Sequence, residues 1–237
     1  MTSAIEPARR APAVILPLRP LFTVTILLGS FLLFLIQPMF GRQVLPSLGG
    51  SPSVWNTAML FYQVVLLLGY LYAHAMRRLP IGRQLLIHLA LFGVAALTLP
   101  IAVSAALPNG ADLPPVLWLL ALLTLSIGPV FFVASAQAPL MQSWFARSLH
   151  PDAANPYFLY AASNAGSFAA LVAYPLLLEP TMTLGDQALL WSAGFLLLAL
   201  LVAACGFALR RDGGAAPLEA PAVPISWAQR GRWTVLS

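Results

Sequence analysis

Charge is scarce in this sequence. Charged residues make up 8% of the 237 residues, against about 25% in a typical soluble domain. Lysine is absent, so all twelve basic residues are arginine. Apolar residues reach 60% and the mean hydropathy is +0.86. A water-soluble fold of this size has too little interior to hide so much apolar surface, and a membrane protein is therefore predicted.

Cysteine, histidine and acidic residues are also too few to form a recognisable reactive site. The single cysteine, Cys205, excludes a disulfide framework and a cysteine-based zinc site. His74, His88 and His150 are separated by spacings that match no metal-ligand motif. The seven acidic residues are scattered, and no glycine-rich phosphate loop or paired carboxylates occur. We expect no catalytic, cofactor-binding or metal-binding residues in this chain.

Long apolar stretches separated by Pro and Gly dominate the sequence. A membrane-spanning helix needs about 20 mainly apolar residues, and six stretches qualify. The predicted fold is all-α, a polytopic membrane protein with about six transmembrane helices in residues 21–209. Residues 1–20 form a lead-in and residues 210–237 a linker followed by the start of a further apolar segment, so we expect a fragment of a longer protein. The spans are Leu21–Met39, Val54–Ala75, Gln84–Val103, Pro115–Ala136, Pro156–Leu178 and Ala188–Leu209.

The arginines are unevenly distributed between the connections. Eleven of them flank the spans on one side, and only Arg42 falls on the other. Because positive residues favour the cytoplasmic side of a membrane, both termini are predicted to be cytoplasmic. The arginines form neither a stripe nor a dense tail, so we do not expect nucleic acid as a partner. The expected partner is the lipid bilayer.

One face of the second span carries a track of polar side chains. Asn56, Gln63, Tyr70 and His74 are spaced by seven, seven and four residues, which places them within about 40° on a helix. Intramembrane polar groups are costly and often mark a pathway. The track therefore either lines a cavity or forms hydrogen bonds that fix the packing of neighbouring helices. The packing alternative is favoured.

A second polar face occurs in the fifth span, where four side chains lie within about 80° on one side of the helix: Tyr160, Asn164, Ser167 and Tyr174. Small residues beside it repeat every fourth position, a pattern that lets another helix approach closely. We expect a central packing helix, with Asn164 and Ser167 bonding across to a neighbour. A binding role for Asn164 is the alternative. The small residues are Ala161, Ala162, Ala165, Gly166, Ala169 and Ala170.

Two further features concern the fourth span and the external loops. Pro129 follows Gly128 near the middle of the span and is expected to kink it. The span is predicted to end near Pro139, with Trp144 lying along the cytoplasmic interface. Arg42 and Glu179 are opposite charges on the external side, and they are a candidate external ion pair.

Two ordered groups of motifs resemble a known family. They read QPMFGRQVLP at 37–46, LGGSP at 48–52, VWNT at 54–57 and GYLYAH at 69–74, then NPYFLYAASNAGS at 155–167 with YP at 174–175 and EP at 179–180. Together they resemble the membrane region of bacterial spermidine synthase-like proteins, the fused major-facilitator/spermidine synthase family. The resemblance covers nearly the whole chain beyond residue 20.

The resemblance implies a multi-pass protein of the bacterial inner membrane. In that family the membrane region leads to a soluble aminopropyltransferase-like or methyltransferase-like domain, which we expect to lie outside these 237 residues. The leading hypothesis is a membrane module that anchors or serves such a domain. A permease-like module for a polyamine or other small solute is the alternative, and a structural scaffold forming a homo-oligomer through the fifth span is the third.

Overall fold

The computed structural model describes residues 18–104 and 113–211, and regular structure in these residues is helical. A short 3₁₀ helix, Pro151–Ala154, precedes the fifth long helix, and a π-helical turn, Tyr174–Leu178, with the turn Glu179–Thr181 extends it. Residues 1–17 and 212–237, with most of the lead-in and the linker, lie outside the described residues. The long helices are α1 Leu18–Leu48, α2 Pro52–Met76, α3 Ile81–Ala96, α4 Pro115–Phe145, α5 Tyr157–Ala173 and α6 Leu184–Arg211.

Among the described residues, four helices are long and apolar enough to cross a membrane: α1, α2, α5 with its extension, and α6. The bent helix α4 makes a fifth if its two arms count as one span. At 16 residues, α3 is about 24 Å long, shorter than a hydrocarbon core of about 30 Å. The chain is thus an all-helical protein of the multi-pass membrane type, while six spans and cytoplasmic termini remain predictions.

The third predicted span, Gln84–Val103, is wrong in its second half, because α3 ends at Ala96. Pro100 lacks an N–H and disfavours helical geometry at the residue before it. The Thr98 hydroxyl instead donates a 2.8 Å hydrogen bond to the Ala95 carbonyl. The chain then leaves the helix as an irregular segment, with Ile101 still buried against the core.

The predicted kink in α4 is confirmed. The arms Pro115–Ser126 and Gly128–Phe145 meet at 68°, where Pro129 removes a backbone donor. The predicted end of the span near Pro139 is wrong, because α4 continues to Phe145. Trp144 is fully buried rather than lying at an interface, since the last turns of α4 pack inside the bundle.

The helices form a bundle with α1 and α4 at its centre. α2 packs along α4, and α5 packs along α1. α6 packs on α1 and α3, and α3 also contacts α4. α2 and α5 therefore each pack against a different central helix, and α3 packs against α6. This order leaves space between α2 and α5.

Small residues bring two helix pairs into close contact. Ala162, Gly166 and Ala170 are buried where α5 crosses α1, as the four-residue repeat predicted. A Cβ at Gly166 would overlap the Leu27 carbonyl group, so only glycine permits this approach. At Gly69 on α2 a Cβ would meet the Ser135 side chain of α4. The other predicted row, Ala161, Ala165 and Ala169, is exposed.

Candidate functional site: a groove between α2 and α5

Two cavities lie between α2 and the segment formed by α5 and its extension, one towards each end of these helices. One is lined by α1, α2 and the extension of α5, and the other by α2, the end of α4 and the start of α5. The two volumes, about 360 and 370 Å³, lie at the lower end of the range of about 300–1,000 Å³ usual for small-molecule sites. We call this surface, defined by the residues lining the two cavities, the α2–α5 groove.

The 370 Å³ cavity combines residues of the two predicted polar faces. Tyr70 and His74 of α2 meet Tyr160 of α5 at this end. The last turns of α4 supply Gln142 and Ser143 as further polar lining. The Ser143 hydroxyl is buried without a hydrogen-bond partner among the described residues. Polar side chains from three helices thus converge on one space.

The 360 Å³ cavity at the other end contains the candidate ion pair. Arg42 of α1 and Glu179 after α5 both line it, and Arg42 Nη1 lies 3.3 Å from Glu179 Oε1. Both side chains remain about two-fifths exposed. Gln37 of α1 adds an amide, and Tyr62 of α2 adds an aromatic wall. This cavity therefore presents one positive and one negative group together.

Irregular helical turns position the polar groups of this second cavity. A π-helical turn begins at Tyr174, has Pro175 as its second residue and ends at Leu178, which places Glu179 directly after it. π-turns within helices are frequent at functional sites because they change the direction of a side chain. Pro38 lies within α1 beside the same cavity. Arg42 sits on α1 because that helix runs to Leu48, nine residues beyond its predicted end at Met39.

The remaining predicted polar residues line neither cavity. Asn56, Gln63 and Asn164 are exposed, and Gln63 and Asn164 lie between the two cavities along their helices. Ser167 donates within its own helix, to the Ser163 and Asn164 carbonyls. The bond across the α1–α5 crossing is made instead by the hydroxyls of Ser30 and Ser163, 2.8 Å apart.

The described arginines cluster at one end of the bundle, with Arg42 at the other. Arg19 forms a 3.0 Å ion pair with Asp152, which joins the start of α1 to the connection between α4 and α5. Arg147 donates to the Arg77 carbonyl, which joins that connection to the end of α2. Gly82 of α3 lies near the Arg210 guanidinium. We call this the arginine-rich end: Arg19, Arg77, Arg78, Arg83, Arg147, Arg210 and Arg211.

A buried polar cluster at the arginine-rich end was not foreseen from sequence. Arg147 is 7% exposed and donates to the carbonyls of Arg77 and Leu79, at 2.7 and 3.4 Å. Burial, with the nearby Arg77 charge, lowers the pKa of Arg147. Trp144 Nε1 donates to Gln84 Oε1 at 2.7 Å. These bonds attach the α2–α3 connection to the end of α4.

His88 is the one fully buried histidine in the described segments. Its ring stacks on Tyr72 with centroids 5.8 Å apart, and Nδ1 lies 3.4 Å from the Tyr72 hydroxyl. Within residues 18–104 and 113–211, no three His, Cys, Asp or Glu side chains form a metal-binding group. His88 therefore belongs to the packing of α2 against α3.

Comparisons with family models, curated proteins and solved structures found no match to this chain. The resemblance to spermidine synthase-like membrane regions consequently stays a prediction, carried by the sequence motifs alone. The groove and its two cavities are the observations from which a function can be argued.

Proposed function

We propose that this chain is a permease-like membrane module whose α2–α5 groove receives a small polar solute. The observation that carries this proposal is the pair of similar cavities towards opposite ends of the α2–α5 groove. One is bounded by α1, α2 and the extension of α5, and the other by α2, α4 and the start of α5. A path across a membrane needs openings towards both sides, and this arrangement supplies a candidate for each.

Exposed polar side chains on the same helix faces as Tyr70 and Tyr160 support the same proposal, although they line neither cavity. Asn56, Gln63 and Asn164 contribute amides to α2 and α5 without burial in the bundle. Amide and imidazole groups facing lipid lose their hydrogen bonds with water, and they are therefore usual at bundle interiors and water-filled paths. Water or a hydrated solute between α2 and α5 would satisfy them.

Cysteine accessibility tests whether the groove is wet. Cys205, the only cysteine, is fully buried, so Cys205→Ala provides a cysteine-free background. We expect Gln63→Cys and Asn164→Cys in that background to react with a membrane-impermeant thiosulfonate. Leu196→Cys, an exposed position on α6, is the lipid-facing control. Equal reactivity of all three positions in intact membranes would contradict a hydrated groove.

Uptake measurements test which kind of solute the chain transports. Proteoliposomes holding the full chain are offered labelled putrescine or a labelled amino acid, with protein-free liposomes as the control. Among the described residues that line the two cavities, Glu179 is the one carboxylate, and it already pairs with Arg42. Polyamines carry several positive charges, so we expect weaker uptake of putrescine than of a solute without net charge.

A second proposal is that the chain anchors or serves a spermidine synthase-like domain in the bacterial inner membrane. The motifs of residues 37–74 and 155–180 support it, and so does the arginine-rich end, which offers a cationic surface to a soluble partner. Co-purification with an aminopropyltransferase-like protein encoded nearby, lost on raising the salt concentration, is the expected result. Absence of any such partner from gently solubilised membranes would contradict it.

A further inference from the structure

The cavity at the Arg42 end carries two opposite charges and no others. Arg42 and Glu179 are its charged lining residues, and the rest of the lining is neutral. A solute with a net charge would leave one of these two groups without a partner, and an unpaired charge in a partly desolvated site is unfavourable. A solute carrying one charge of each sign would pair with both.

The geometry of the ion pair leaves room for such a solute. The 3.3 Å separation of Arg42 Nη1 and Glu179 Oε1 is longer than the roughly 2.7–2.9 Å of a strong charge-assisted hydrogen bond. The second contact, to the Glu179 carbonyl at 3.4 Å, uses the same Nη1. A guanidinium has five N–H donors, so Arg42 keeps donors for an incoming carboxylate.

The neutral lining supplies further recognition. The Tyr174 hydroxyl is buried and no hydrogen bond within the described part of the chain satisfies it, although the charges of Arg42 and Glu179 are close enough to act on it. Gln37 adds an amide beside it, and Trp55, Met59 and Tyr62 form an apolar wall. A ligand that combines a dipolar head with an apolar side chain would match both halves of this lining.

We infer that this cavity binds a small zwitterion, with its anionic group on Arg42 and its ammonium group on Glu179. The internal ion pair is then replaced by two pairs with the ligand. An α-amino acid with an apolar side chain fits this chemistry. The ethanolamine phosphate head of a membrane lipid shares it, since it also carries an anionic oxygen group and an ammonium group. The inference deepens the permease-like function and rests on it.

Equilibrium binding tests the inference separately from transport. Radiolabelled L-leucine is bound to the full chain in detergent and displaced by leucinamide, N-acetyl-leucine and glycerophosphoethanolamine. Leucinamide keeps only the ammonium and N-acetyl-leucine only the carboxylate, so we expect each to bind at least about tenfold more weakly, as loss of one charge-assisted contact implies. If glycerophosphoethanolamine displaces leucine more strongly than leucine itself, the natural source is the lipid head. Stronger self-displacement by leucine identifies a free solute.

Variants connect this binding to the two charges. Arg42→Gln and Glu179→Gln are expected to weaken leucine binding at least about tenfold, while Arg78→Gln at the opposite end leaves it unchanged. The Arg42→Gln variant should also lose its preference for leucine over leucinamide, a change that general destabilisation would not cause. No saturable leucine or glycerophosphoethanolamine binding, or equal binding of all four compounds, would overturn the inference. Binding without uptake would leave it standing and count against the permease-like function.

Discussion

The indole Nε1 of Trp144 lies 2.7 Å from Gln84 Oε1, and both side chains are fully buried. Gln84 in turn donates from Nε2 to the Leu79 carbonyl at 2.6 Å. One glutamine thus joins the last turn of α4 to the connection between α2 and α3. Since neither group reaches solvent, each depends on the other for its hydrogen bond.

The first prediction concerns this bond. Trp144→Phe keeps the aromatic ring and removes the donor, which leaves Gln84 Oε1 buried and unpaired. We expect a loss of about 1–2 kcal/mol in the free energy of unfolding. Denaturation in mixed micelles measures it for Trp144→Phe, Gln84→Leu and the double variant. A double-variant loss equal to the sum of the single losses would show that the two residues are not coupled.

The second prediction concerns the α1–α5 crossing. At Gly166 an added Cβ meets the Leu27 backbone, which cannot move aside as a flexible side chain can. Gly166→Ala should therefore separate the helices and lower the free energy of unfolding by about 1–3 kcal/mol. Gly93→Ala on α3 is the matched control, because a Cβ there meets nothing within 4 Å. Thermal unfolding in detergent compares the two, and equal melting temperatures would contradict the close crossing.

The third prediction concerns Arg147. Arg147→Ala removes the donors that bind the Arg77 and Leu79 carbonyls, so the α2–α3 connection should exchange amide hydrogens faster. Hydrogen exchange of the peptide spanning residues 77–82 measures this, and Arg83→Ala, an exposed arginine, is the control. Arg147→Lys should fall between them, because one ammonium cannot reproduce the planar fork of a guanidinium. Identical exchange in Arg147→Ala and Arg83→Ala would show that the hydrogen bonds of Arg147 do not stabilise the α2–α3 connection.

The fourth prediction concerns the Arg42–Glu179 pair. Because both side chains are about two-fifths exposed, we expect each single charge reversal to lower the free energy of unfolding by no more than about 1 kcal/mol. The double variant, Arg42→Glu with Glu179→Arg, should recover most of the loss. Loss in either single variant without recovery in the double would show that the pair does not form.

Local pattern was sufficient for the helices and for one of their distortions. A proline inside a helix removes a backbone hydrogen bond whatever its neighbours are, so the kink at Pro129 could be predicted from the sequence. The end of α4 could not, because Pro139 occupies a similar local setting and the helix continues through it to Phe145. Burial of Trp144 and its bond to Gln84, a partner 60 residues away, outweigh the local signal.

Composition and periodicity by themselves indicated a helical membrane protein and located the polar faces of α2 and α5, because hydropathy and helical spacing are local properties. They also grouped the arginines, leaving Arg42 apart. Only the tertiary structure decided that Tyr70, His74 and Tyr160 share one cavity while Asn56 and Asn164 stand outside both. That outcome depends on which helices pack together, and the packing is set by contacts between residues far apart in the chain, such as Gly166 against Leu27.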